Sequence, residues 1–203
     1  CDRTSPAGKI EAVSSKNEYG MLPLRVALKS RASIDVIRKL VREHPPSART
    51  FGISGKTPLH LACLHSPNDP DLIELLLDAW PEAAMWTDRD GWHPLHVALG
   101  VARRGNLSAR TIRALLDKCP EAAGKADTSE RRLPLHLAAR NGFSPEILRL
   151  VHSAYPSAAK LRTKSGSREG GLLPLHLACL CPDVTPETLE ALIEFYPEGV
   201  REA

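Results

Sequence analysis

Long apolar runs are missing from this chain. No stretch of its 203 residues approaches the roughly 18 consecutive apolar positions of a membrane-spanning helix. Cys1 to Lys9 is polar, without the apolar stretch of a signal peptide. No membrane insertion is expected. An excess of one charge is missing too. The 27 basic and 24 acidic side chains leave a net charge of +3, too even to imply nucleic acid by itself. Paired cysteines are also absent: the five cysteines are an odd number with no framework spacing, so a reduced, intracellular setting is expected. That setting makes the Asn106-Leu107-Ser108 sequon accidental.

Motifs for chemistry are equally scarce. Cys179-x-Cys181 has the wrong spacing for a zinc knuckle and no second pair follows. Gly55-Lys56-Thr57 ends like a phosphate-binding loop, but that loop needs four residues between its glycines and Gly52 and Gly55 have two. No Ser-His-Asp, paired-carboxylate or nucleotide fingerprint is present. No catalytic residue, metal or cofactor is therefore expected.

What the chain does have is repetition. Pro-Leu-His-Leu or a near copy begins at Pro23, Pro58, Pro94, Pro134 and Pro174, in steps of 35, 36, 40 and 40 residues. Ala27, Ala62, Ala98, Ala138 and Ala178 follow the blocks. A fixed period of this length signals a stack of similar supersecondary units. His60, His96, His136 and His176 then fall one per unit, about 10 Å apart if helices stack, too far apart to share one zinc. Each is expected to hydrogen-bond its turn to the neighbouring unit.

Each block opens a short helix, with proline at the first position, where a missing N–H is no loss. Thr57 is a cap for one of them; Leu22, His93, Leu133 and Leu173 elsewhere are not. Ser33, Asp69, Ser108, Ser144 and Thr185 are N-cap types for a second helix, with apolar stripes such as Leu72, Ile73, Leu76, Leu77 and Trp80 behind them. Every second helix is expected to stop at a proline, at positions 45, 81, 120, 156 and 197. Cys63 and Cys179 sit at matching positions and are expected in the core. Cys119 stands where other units have Trp80, Tyr155 and Tyr196.

Lys56-Thr57-Pro58-Leu59-His60-Leu61-Ala62 resembles the hallmark of the ankyrin repeat, and Ala138 to Gly142 resembles the family's end of the first helix. The period is longer than that family's usual ~33 residues, and the second helices end on aromatic-proline pairs. The resemblance implies an all-α solenoid of helix-turn-helix units joined by extended turns. Residues 1–203 then form one domain: 1–20 the tail of a preceding repeat, and repeats at 21–55, 56–91, 92–131, 132–171 and 172–203. Neither end shows a polar capping repeat, which suits a piece of a longer repeat protein or ends covered by a partner.

The resemblance also implies a protein-binding scaffold, with no enzymatic activity. Partners of ankyrin proteins contact the turn tips and the exposed ends of the first helices. Carried over by position, these are Tyr19 and Met21 in the first repeat, and Ile53, Lys56 and His65 in the second. The third supplies Arg89, Asp90 and Trp92, and the fourth Glu130, Arg132, Arg140 and Asn141. Trp92 is weighed equally as packing against the adjacent turn, Trp80 as core, and Trp86 as either. A permanent structural subunit is the alternative reading. Nucleic-acid contact through Arg103, Arg104, Arg110, Arg131, Arg132 and the basic linker Lys160, Arg162, Lys164 and Arg168 is the weaker one. The linker also reads as a solvated loop.

Overall fold

The computed structural model describes residues 12–102, 107–166 and 170–201. Among the described residues, ten helices lie in five pairs: α1 (Pro23–Lys29) with α2 (Ile34–Glu43), α3 (Pro58–His65) with α4 (Pro70–Ala79), α5 (Pro94–Val101) with α6 (Ala109–Lys118), α7 (Pro134–Arg140) with α8 (Pro145–Ala154), and α9 (Pro174–Cys179) with α10 (Pro186–Phe195). First helices pack on first helices and second on second, so each pair stacks on the next. No strand is present among the described residues. This is the expected all-α solenoid.

Each first helix begins at its proline. The histidine two residues on caps it: Nδ1 accepts the backbone N–H of the residue before the proline, at 3.2 Å from Thr57 to His60, 3.1 Å from Leu133 to His136 and 3.2 Å from Leu173 to His176. The imidazole does what glutamate does in a capping box, so the non-capping residues Leu133 and Leu173 need no polar side chain. With Nδ1 accepting, Nε2 carries the proton. It donates to Trp92 O from His60 at 2.9 Å and to Leu161 O from His136 at 3.0 Å. His60 and His136 thus tie their helices to the following turn, as expected, whereas His96 Nε2 is buried without a hydrogen-bond partner.

Among the second helices, Asp69, Ser108 and Thr185 accept the expected cap hydrogen bonds. Ser33 and Ser144 do not. Both belong to repeats with the shortest link, ten residues from the first-helix proline to the cap position. All five second helices stop before a proline, and that proline opens a one-turn 3-10 helix: Pro45–Arg49, Pro81–Met85, Pro120–Gly124, Pro156–Lys160 and Pro197–Val200. Small pairs such as Ala83–Ala84, Ala122–Ala123 and Ala158–Ala159 let this turn press against its neighbours, and all six are buried.

The helices share one continuous apolar core, in which Ile37, Ile73, Leu77, Leu99, Ile112, Leu148 and Val151 are shielded from solvent. Trp80 and Cys119 are buried at matching places. Cys63 is fully buried, and burial drives its thiol pKa well up. Cys179 is exposed instead, contrary to expectation. Its counterpart Cys63 is covered by the next pair of helices, whereas no later pair lies over Cys179 among the described residues.

Candidate functional site

The turn ahead of each first helix is built on one residue. Asn17, Gly52, Asp88, Asp127 and Thr163 each donate a backbone N–H to a carbonyl two residues before the next proline, at 2.9–3.1 Å. Four reinforce this with a side chain. Asn17 Oδ1 accepts from Tyr19 N and Met21 N. Asp88 Oδ1 accepts from Asp90 N and Trp92 N. Asp127 Oδ1 accepts from Glu130 N and Arg132 N. Thr163 Oγ1 accepts from Leu172 N. Lys56 Nζ lies 2.5 Å from Asp88 Oδ2, and Arg132 Nε 2.9 Å from Asp127 Oδ2. Burial pushes both carboxyls up, but the facing N–H groups and cations outweigh it and hold both below the usual carboxylate range.

The second to fifth tips are laced to one another. Arg89 N donates to Ser54 O at 3.1 Å, Thr128 Oγ1 to Asp90 O at 2.8 Å, and Lys164 N to Glu130 O at 2.8 Å. Such a row holds its side chains in fixed relative places. It also explains where the candidate residues fall.

Six of the twelve converge. Tyr19, Met21, Ile53, His65, Arg89 and Asp90 line a single groove of about 1180 Å³ between the first three tips and the first helices. Its floor adds Leu61 and Leu64 from α3, and its wall adds Phe51. Tyr19 is 71% exposed and Ile53 84%. Four others, Glu130, Arg132, Arg140 and Asn141, line a second and more polar depression together with Cys181.

The remaining two, Lys56 and Trp92, line neither. Lys56 is held on Asp88, and Trp92 lies across Gly100 with Arg132 5.9 Å from its ring centroid. A β-carbon on Gly100 would stand 2.4 Å from the Trp92 ring. In the second depression, Asn141 Nδ2 donates to Leu99 O at 2.7 Å, so its amide joins α7 to α5. The Arg132 guanidinium is committed to Asp127.

Sequence reading missed three features. Asp88 and Asp127 are surface-type residues by composition, and only their place seven residues after the proline, at positions 81 and 120, marks them. The third is an aromatic cluster: Phe51 stacks on Trp86 at 5.6 Å and Trp86 leans on Trp80 at 5.5 Å. Trp86 is thus half packed and 41% exposed.

The basic candidates do not form one surface. Arg110 pairs with Glu74 and Asp71 on α4. Arg162 donates to Gly171 O, and Lys160 sits 5.5 Å over the Tyr196 ring. Arg103, Arg104 and Arg168 lie outside the described residues. No helix among the described residues is long and apolar enough to cross a membrane.

Compared with known families, residues 54–84 match the ankyrin repeat model. This segment holds α3, α4 and the 3-10 turn after them, and the other repeats share its architecture. A search of curated proteins returned no match.

Proposed function

The chain is an ankyrin-repeat protein, and we propose that it is a binding scaffold whose protein partner lies in the groove between the first three turn tips and helices α1 and α3. Ankyrin repeats are in general protein-protein interaction modules, and the family is typically non-enzymatic. The observation that carries the reading is the convergence of Tyr19, Met21, Ile53, His65, Arg89 and Asp90 on one groove, with Tyr19 and Ile53 left largely in water. Exposed aromatic and aliphatic side chains beside arginine are the make-up of an interface hot spot. The bond between the second and third tips, and the Asn17 side chain that braces the first, supply the mechanism. A groove that is already ordered loses little entropy on binding, so contacts convert more fully into affinity.

The test is capture from native extract, read by mass spectrometry, with the natural chain and a Tyr19→Ala, Ile53→Asp variant side by side. A protein retained by the first and reduced at least about tenfold by the second is expected, since losing a central anchor costs about 1–2 kcal/mol or more. Thermal melting of the two should agree, both positions being exposed. Equal recovery of partners by both overturns the groove as the binding face.

A further inference from the structure

We infer that the groove is built for an acidic peptide segment carrying two neighbouring apolar side chains. This rests on the groove reading above and adds the chemistry of the partner.

The charges around the groove are one-sided. Arg25, Lys29, His65 and Arg89 line it against a single carboxylate, Asp90. Arg31 borders the same end, beside His65. Three cations away from the groove lining are paired within the chain: Lys56 with Asp88, Arg110 with Glu74 and Arg132 with Asp127. None of the ion pairs among the described residues includes Lys29, Arg31 or Arg89. Their positive field is felt at His65, where burial first, then Arg31 and Lys29, lower the imidazole pKa.

Arg25 is the second observation. It is only 7% exposed, gives Nη1 to Lys56 O at 2.7 Å, and has no carboxylate partner. Its Nε has no acceptor at all. A guanidinium stays charged even where burial lowers its pKa. An unneutralised cation therefore lies under the groove's edge.

The apolar part decides what class of anion fits. Met21, Phe51, Ile53, Leu61 and Leu64 form the floor and rim. A nucleic acid would find few phosphate contacts there and a basin it cannot fill. A peptide with two apolar side chains fills the basin while flanking Asp or Glu meet Lys29, Arg31 and Arg89. Complementarity of this kind speeds encounter and sets specificity.

The probe is a phage-displayed library of random 12-residue peptides, panned on the chain. The enriched peptides are then synthesised and followed by fluorescence anisotropy. Three proteins are compared: the natural chain, the anchor variant Tyr19→Ala, Ile53→Asp, and a charge variant Lys29→Glu, Arg31→Glu, Arg89→Glu, each checked by circular dichroism melting. Expected are peptides rich in Asp and Glu around two apolar residues. Their affinity should fall at least about tenfold in the charge variant and severalfold between 50 and 300 mM salt, as for steered, charge-matched pairs. The salt series on the natural chain stands even if a variant folds poorly. Neutral or basic peptides that lose affinity only in the anchor variant would overturn the acidic partner and leave the groove. Peptides indifferent to both variants, or no enrichment at all, would overturn both.

Discussion

Arg25 occupies the place that histidine holds in the other four repeats, and a glycine makes room for it. It reaches the carbonyl of Lys56 just as His60 reaches that of Trp92. The arginine is longer, and its tip fills the space where the next turn carries Asp88 and Asp127 in later repeats. Gly52 stands in that place; a β-carbon on it would lie 2.4 Å from Arg25 Nη2. The pair is therefore a matched substitution. Gly52→Ala is expected to cost about 1–2 kcal/mol, the usual penalty for overfilling a packed site. In an Arg25→His background the same change should cost less than about 0.5 kcal/mol, because the obstructing group is gone. Urea denaturation of the two single variants and the double variant closes the cycle. Additive losses would show that Arg25 and Gly52 are independent.

At the scale of elements, one unit is rigid and its surroundings vary. From the second-helix cap position to the turn residue there are 19 residues in four repeats: Ser33 to Gly52, Asp69 to Asp88, Ser108 to Asp127, and Ser144 to Thr163. The irregular period arises outside it, in the link between paired helices and in the turn tip, which has ten residues between Thr163 and Pro174. This constancy follows from packing: the second helix, its 3-10 turn and the buried alanine pair must register with neighbours on both sides, whereas tips and links face solvent. Hence the helices were legible from the prolines at positions 23, 58, 94, 134 and 174. The turn anchors were not. Asn17, Gly52, Asp88, Asp127 and Thr163 share a backbone role, but their residue types range over Asn, Gly, Asp and Thr, and the motif proline lies six to eleven positions after them. The candidate site was legible in part for the same reason. Tip position predicts exposure for Tyr19 and Ile53, but the commitment of Arg132 depends on Asp127, a contact that no spacing rule marks. Asp127→Ala should cost about 3 kcal/mol, in the range for breaking a buried charge pair, because it also strips the N–H groups of Glu130 and Arg132 of their acceptor. Asp127→Asn, which keeps an acceptor, should cost less. Chemical denaturation separates the two, and equal losses would mean that the charge rather than the hydrogen bonds holds the turn.

Across the whole molecule the repeated histidines make stability a function of pH. Burial lowers His60, His96 and His136 to about 4, against an ordinary value of 6.5. The unfolded chain therefore binds protons near pH 6 that the folded chain refuses. Their contribution is fully present above about 6.5 and is lost as pH falls from there toward 4, at up to about 1.4 kcal/mol per pH unit for each group. Asp88 and Asp127 act in the same direction but lower, since their folded values lie below the usual carboxylate range and their stabilisation fades only in stronger acid. The two sets are thus separable by window. Because stacked repeats are coupled only to their neighbours, the three losses fall on consecutive interfaces and should appear in one transition rather than as fraying of a single end. Thermal melting at half-unit steps from pH 7.5 to 4.5 is expected to show a steady fall below 6.5. His136→Gln should be less stable than the natural chain at pH 7.5, having lost its tie to Leu161, yet decline less steeply on acidification. A flat profile between pH 6.5 and 5 would mean that the histidines take up protons inside the stack, and that the hydrogen bonds from Nε2 to the next turn persist in the charged form.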